Sequence, residues 1–436
     1  MIEKQHKEHF LAKTFSGLEE VLLQELEALG AHNCQQHSRS VSFEGDLPLL
    51  YKANYFCRTA LRILWEMDSF TFRDNNQFYD AIYKFPAEKY LSKDGTLAVS
   101  ASLTESDFKT PLFPSVLAKD AICDRFRSIC NERPSVDKEE PDVQFHLHIY
   151  RNTCTLYLDS SGESLHKRGY KVSGHPAQIN EVLAAAMIKL SGWHGECDFI
   201  DNMCGGGTLL IEAAMQALNI PAGYYRHHWG FFNWKIFDRR LWNKITDSAD
   251  IKEDVNINFY GYDISGRYLG MAKANVQEAE LQDFIFLEKS DMADTRPERT
   301  PALIMINPPY GERLEVEDLK VLYKKIGDTW KQYFSGCTAF IISSDMEALK
   351  CIGLRPSRRF KLFNGPLECL MLKFDLYEGK KSGYRGQGTG YREYQFPFLM
   401  NRRRSESRAK ACFGFAERGG EGGEASNGWP KAGVVT

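Results

Sequence analysis

The chain has 436 residues, 43% hydrophobic and 26% charged, with a formal net charge of −3. That length suits two or three domains, and that balance suits a globular protein. No stretch approaches the roughly 18 consecutive apolar residues of a membrane span, and the charged start, Met1 to Glu8, has no signal-peptide core, so a cytoplasmic location and no membrane partner are expected. Eleven cysteines are scattered without a Cys-x-x-Cys pair, which removes the usual zinc and redox signatures and predicts no metal.

The first predicted element is a helix over residues 15–30. Ser16 and Glu19 have capping-box spacing, Leu18, Val21, Leu22, Leu26 and Leu29 form an apolar stripe, and Gly30 can end it. A strand over 40–43 and a helix over 49–63 follow. Strands are expected at 96–102 and within 144–158, with a helix near 114–129 and a polar loop at 131–142. Such mixing suggests small α+β modules.

From about residue 177 helices and strands alternate. Helices are expected at 180–190 and 208–218, and strands at 198–201, 258–263, 302–306, 338–343 and 370–376. Strict alternation predicts a mainly parallel sheet covered on both faces. From about residue 380 the composition turns to Gly, Arg and Ser. Basic residues outnumber acidic ones there, as expected of a disordered tail or an RNA-binding arm.

The densest local signal is Asp201-Asn202-Met203-Cys204-Gly205-Gly206-Gly207-Thr208, between an apolar strand and a helix. Glycines let the backbone turn and let a ligand approach closely, and the helix start offers free N–H groups. The loop lacks both the P-loop lysine and the Gly-x-Gly-x-x-Gly spacing. Asp263 ends the next strand, where a doubly wound sheet presents residues to a ribose. Asp291 follows another strand-like run and can accept a hydrogen bond from an amine.

The fourth piece is Asn307-Pro308-Pro309-Tyr310, after the apolar run 302–306. An exocyclic purine amine is a poor nucleophile, because its lone pair is delocalised into the ring. The Asn307 side-chain oxygen and the Pro308 carbonyl can hold its two N–H groups and aim the lone pair at a methyl donor. Tyr310 can stack on the base. Alignment of this kind can supply about 7–11 kcal/mol.

These motifs, in this order, resemble the class I methyltransferases that carry an amino-terminal THUMP domain. The nearest among them is the guanine-N2 half of the bacterial bifunctional enzyme acting on large-subunit ribosomal RNA. Gly17-Leu18-Glu19, Leu50 to Asn54, Ser164 to Tyr170 and Asn180 to Ala186 extend the likeness over residues 8–377. The resemblance implies a Rossmann-like α/β domain with a mainly parallel seven-stranded sheet, preceded by an α+β ferredoxin-like and THUMP module. The expected domains are 1–65 (ferredoxin-like), 66–165 (THUMP), 166–379 (methyltransferase) and 380–436 (tail). It implies S-adenosyl-L-methionine as cofactor, held by Asp201, Met203, Cys204, Gly205, Gly207 and Thr208 at the methionine end, Asp263 at the ribose, Asp291 at the adenine, and Asn307 beside the donor. Asn307, Pro308, Pro309 and Tyr310 would hold the target guanine N2. Structured RNA, 23S rRNA above all, would be the partner, with Arg58, Arg62, Lys167 and Arg168 as contacts. A chain lacking residues 1–170 is then expected to bind cofactor but not to methylate RNA. The family's Asp-Pro and Cys-Gly-Ser-Gly are here Asp201-Asn202 and Cys204-Gly205-Gly206-Gly207, and Asn202 is expected to meet any unusual φ. Two other readings stay open: adenine-N6 or guanine-N2 methylation of tRNA or DNA, and a non-catalytic RNA-binding assembly factor.

Overall fold

The computed structural model describes residues 7–172, 179–310 and 316–377. The tail expected from residue 380, and Gly311 to Arg313 of the motif region, lie outside them.

The first half is built on one eight-stranded sheet. Its elements are β1 (Glu8–Lys13), α1 (Glu19–Ala28), β2 (His32–His37), β3 (Ser40–Gly45), α2 (Leu47–Phe56), β4 (Arg62–Thr71), α3 (Asn75–Lys84), β5 (Thr96–Thr104), α4 (Leu112–Cys130), β6 (Ser135–Val136), β7 (Val143–Tyr150) and β8 (Thr153–Asp159). The strand order is β2-β3-β1-β4-β8-β7-β5-β6. β4 carries the join, pairing with β1 on one edge and β8 on the other. The helix expected over 49–63 ends at Phe56, and Arg62 begins this strand. The β-branched and aromatic residues that follow Arg62 explain the switch. α1 starts two residues later than the capping-box reading put it. Ser16 makes no cap, whereas Glu19 accepts from the Gly17 and Arg39 N–H groups.

The second half runs α5 (Glu181–Ser191), β9 (Asp198–Asp201), α6 (Thr208–Ala217), α7 (Arg239–Thr246), β10 (Phe259–Asp263), α8 (Gly266–Glu278), β11 (Ile285–Lys289), β12 (Ala302–Ile306), α9 (Val316–Tyr333), β13 (Thr338–Ser343), α10 (Met346–Cys351), β14 (Arg358–Asn364) and β15 (Leu367–Asp375). The sheet order is β11-β10-β9-β12-β13-β15-β14. The first five of these pair in parallel, and β15 runs antiparallel to both β13 and β14. This is the expected Rossmann-like sheet. The chain departs from β9 toward β10 and β11, then returns to β12 on the other side. Such a switch point opens a crevice outside the carboxyl ends of the strands.

The halves share a core. Residues 229–245, from the connection after α6, send Trp229, Phe231, Trp234 and Trp242 into the apolar core of the eight-stranded sheet. Tyr51 and Phe231 lie 4.5 Å apart between ring centroids, Tyr55 and Trp242 5.5 Å, and Trp65 and Trp234 6.0 Å. Each pair contributes about 0.5–1.5 kcal/mol beyond its buried area. The module therefore cannot be removed cleanly. A cut after residue 170 strips the cover from this aromatic seam, which counts against the expectation that the second half alone would bind cofactor.

Candidate active site

β9 ends in Asp201, and the backbone turns through residues 202–207 into α6. Left-handed φ values occur at Gly205 (+53°) and Gly207 (+80°), where a side chain would be strained. A Cβ on Gly205 would meet nothing within 4 Å, so the turn faces open space suited to a ligand. Asn202 needs no unusual φ. Its buried side chain instead donates to Thr295 Oγ1. α8 braces the turn from behind, with Asn275 Nδ2 donating to the Gly206 carbonyl at 3.0 Å. Asn275 is fully buried, and the sequence reading gave it no role.

The acids meet at this turn. Asp263 accepts from Gly205 N at 2.9 Å and Ser265 N at 2.8 Å, which ties the end of β10 to the glycine loop. Asp201 is 2% exposed and accepts from Met203 N. Burial, with the nearby Asp263 charge adding to it, pushes its carboxyl up to about 8. Asp291 is engaged on both oxygens, by Ala293 N at 2.9 Å and by Lys325 Nζ at 2.7 Å. The Lys325 ammonium holds its carboxyl below the usual range. A carboxylate has about four lone-pair directions, so a ligand amine remains a feasible third partner.

β9 and β12 are hydrogen-bonded neighbours, so Asn307 to Tyr310 leave the sheet beside the glycine loop. Among the described residues, three side-chain oxygens in this region are buried without a protein partner: Asn202 Oδ1, Thr208 Oγ1 and Asn307 Oδ1. Such groups cost about 1–3 kcal/mol each, which a bound polar ligand recovers. They flank the carboxyl edge at which the cofactor and the target base were expected. Their chemistry fits S-adenosylmethionine, with acceptors for its ammonium and an open glycine cradle against its backbone.

Tyr310 departs from expectation. It is 1% exposed, its ring sits in the core, and its hydroxyl accepts from Asn364 Nδ2 at 2.7 Å. It offers no open stacking face here, because the hairpin of β14 and β15 holds it inward. The Pro309 carbonyl is held as well, by the Tyr323 hydroxyl at 3.3 Å. Asn364 and Tyr323 thus fix the tetrapeptide. Neither carries a local motif, and only the folded chain brings them there.

Two of the expected RNA contacts are structural. Arg58 is buried, and its guanidinium donates to the Met215 and Ile220 carbonyls at the end of α6. Arg168 is also buried, paired with Glu212 at 3.2 Å and bonded to the Arg58 carbonyl at 2.6 Å. A desolvated guanidinium with this many partners is spent on joining the halves. Arg62 is half-buried against Asp159 and the Gly162 carbonyl. Lys167 is exposed, with Glu163 as its partner. Among the described residues all ten cysteines are free, no group of side chains could hold a metal ion, and no helix is long and apolar enough to cross a membrane.

Comparison with known families assigns this architecture. A model of the RlmL ferredoxin-like domain matches residues 9–64, one of the THUMP domain residues 72–159, and one of an RMKL-like methyltransferase domain residues 168–373. The chain thus carries a ferredoxin-like domain and a THUMP domain, followed by a Rossmann-like methyltransferase domain. Curated relatives called ribosomal RNA large subunit methyltransferase K/L include those of Syntrophotalea carbinolica and Methylococcus capsulatus. The first is 36% identical over 86% of this chain and 54% of its own length, and the second 36% identical over 84% and 51%. The chain spans about half the length of the curated relatives it matches. Two solved structures share the fold closely. A candidate methyltransferase complexed with S-adenosylhomocysteine has a TM-score of 0.77 and 28% identity, covering 86% of this chain and 99% of its own. A Listeria monocytogenes protein, described as a predicted N6-adenine-specific DNA methylase, has a TM-score of 0.76 and 27% identity, with coverages of 86% and 97%.

Proposed function

We propose that this chain transfers a methyl group from S-adenosylmethionine to the exocyclic N2 of a guanine in RNA, most specifically 23S rRNA. One observation carries the reading: Asn307 Oδ1 is a buried acceptor without a protein partner, beside the glycine loop of β9. The cofactor supplies an electrophilic methyl on its sulfonium. Asp201 and the loop to Thr208 hold its methionine end, Asp263 its ribose hydroxyls and Asp291 its adenine amine. Asn307 Oδ1 and the Pro308 carbonyl accept the two N–H groups of the guanine amine and turn its lone pair outward. Asn364 and Tyr323 keep this acceptor pair in place through Tyr310 and Pro309. The amine becomes acidic as it is alkylated, so alignment matters more than a strong base.

The relatives named for large-subunit rRNA, together with the THUMP match, support RNA as substrate. Adenine-N6 methylation of DNA is the second reading, because the same acceptor pair fits any exocyclic amine and one structural neighbour is described so. Labelled cofactor incubated with unmodified rRNA, tRNA and DNA, followed by mass spectrometry of the nucleosides, decides between them. N2-methylguanine from rRNA is expected. Label confined to N6-methyladenine in DNA would replace the reading, and no transfer to any substrate would favour the non-catalytic assembly factor.

A further inference from the structure

A cavity of about 740 Å³ lies where the two halves of the chain meet, and among the described residues its walls include none from the loops that end β9 and β12. It falls within the roughly 300–1,000 Å³ of small-molecule pockets. One wall is the segment from Glu163 to Lys171, another the segment from Tyr225 to His228, and a third the turn between β14 and β15. From the RNA reading above, on which this rests, we infer that the cavity holds the sugar–phosphate backbone of the unpaired RNA strand that flanks the target base.

Charge is the first support. Lys167, Lys171 and Arg226 line the cavity against two carboxylates, Glu163 and Glu181, while Arg168 in the same wall is buried and paired with Glu212. Each carboxylate is paired with one lysine, Glu163 with Lys167 at 2.5 Å and Glu181 with Lys171 at 2.6 Å, which leaves the Arg226 charge in excess. His227 and His228 add two exposed imidazoles. The Lys167–Glu163 pair is exposed on both sides, and such pairs contribute about 0–1 kcal/mol. A phosphate can displace Glu163 from Lys167 at little cost.

Construction is the second. Arg226 donates to the carbonyls of Ser161, Glu163, Ser164 and Lys167, and its guanidinium lies 4.9 Å from the Trp229 ring. One half-buried cation thus shapes the wall that presents Lys167 and carries the two histidines beside itself. Phe15 and Tyr225 lie half-buried in the same walls, faces on which unstacked bases can rest.

Position is the third. Asn364 belongs to the cavity wall and donates to Tyr310. A strand lying there is one hydrogen bond from the tetrapeptide proposed to grip its extruded guanine. Extruding a base requires the backbone on either side to be held. The cavity holds it beside the amine clamp.

The test uses the full chain with Lys167→Ala, His227→Ala and His228→Ala combined, all on exposed side chains. Affinity for a labelled 23S rRNA fragment is expected to fall at least about tenfold, with the log–log salt slope shallower by about 0.7 for each phosphate no longer neutralised. Calorimetric affinity for S-adenosylmethionine is expected to stay unchanged. Unaltered RNA affinity and slope overturn the inference. Loss of RNA and cofactor binding together also overturns it, by assigning these side chains to structure. Lys167→Glu alone is expected to weaken RNA binding further than Lys167→Ala alone at unchanged cofactor affinity, and equal weakening by the two counts against a phosphate contact there. The methylation assay on unmutated protein tests the proposed reaction separately, so failure of one claim is not read as failure of the other.

Discussion

Glu212 of α6 and Arg168 of the connecting segment form an ion pair from which water is excluded, Nε to Oε1 at 3.2 Å with both side chains at most 1% exposed. The same Glu212 oxygen accepts from the Tyr170 hydroxyl, while Arg168 bonds the Leu165 and Arg58 carbonyls. Removing one partner strands the other charge. Glu212→Ala is therefore expected to cost about 3–5 kcal/mol of stability, and Glu212→Gln less. Urea unfolding of both variants checks this. A loss under about 1 kcal/mol for the alanine would show the pair to be replaceable by water.

Asn307→Ala is expected to abolish methyl transfer and leave RNA affinity within about twofold. The substitution removes one of two acceptors for the target amine without touching the proposed RNA cavity. Single-turnover transfer and filter binding measure the two effects. Full activity in the variant would refute the amine clamp.

Asp263→Ala should weaken S-adenosylmethionine binding by at least about tenfold, since the carboxylate holds the Gly205 N–H and is proposed to hold two hydroxyls. Asp263→Asn should retain part of the affinity. Equal calorimetric affinities for the wild type and the alanine variant would remove Asp263 from the site.

Cofactor affinity should rise with pH. Burial holds the Asp201 carboxyl protonated up to about 8, and its ionised form is the better partner for an ammonium. Below pH 8 the affinity is expected to climb by up to about tenfold per unit and then level off. The sign for stability is the reverse. A carboxyl raised on folding stabilises most below its ordinary pKa of 3.8, and that contribution is lost as pH rises toward 8. Asp201→Asn should bind more weakly, with a flatter pH profile, and should unfold at higher denaturant than the wild type at pH 8. A pH-independent wild-type affinity would contradict the assignment.

Cutting the chain after residue 170 is expected to leave a protein that aggregates and binds no cofactor, because Trp229, Phe231 and Trp242 lose their cover and Glu212 loses Arg168. A monomeric fragment with native cofactor affinity would show the seam to be dispensable.

Local pattern carried the second half. The runs ending in Asp201 and Ile306 are short, apolar and flanked by turn chemistry, and their strands match the expected bounds. The glycine loop was legible because φ > 0 at Gly205 and Gly207 demands that residue type. β1, β2 and β4 were not read, since short strands in a mixed polar sequence lack a distinctive period, and β4 begins where apolar residues run continuously. Charge misled at Arg58 and Arg168. A basic residue near an RNA-binding motif looks the same in sequence whether it faces solvent or closes a domain joint, and only burial separates the two. Asn364 and Tyr323 could not be found at all, because their importance lies in contacts 54 and 14 residues away.

The aromatic seam between Tyr51, Tyr55 and Trp65 and the tryptophans of residues 229–242 ties the two halves together through a shared core. On the proposed function the molecule then acts as a caliper whose two jaws share one core. One jaw rests on folded RNA, the other waits at a set span for a purine, and a transcript whose extrudable base falls short of that span goes unmodified whatever its sequence.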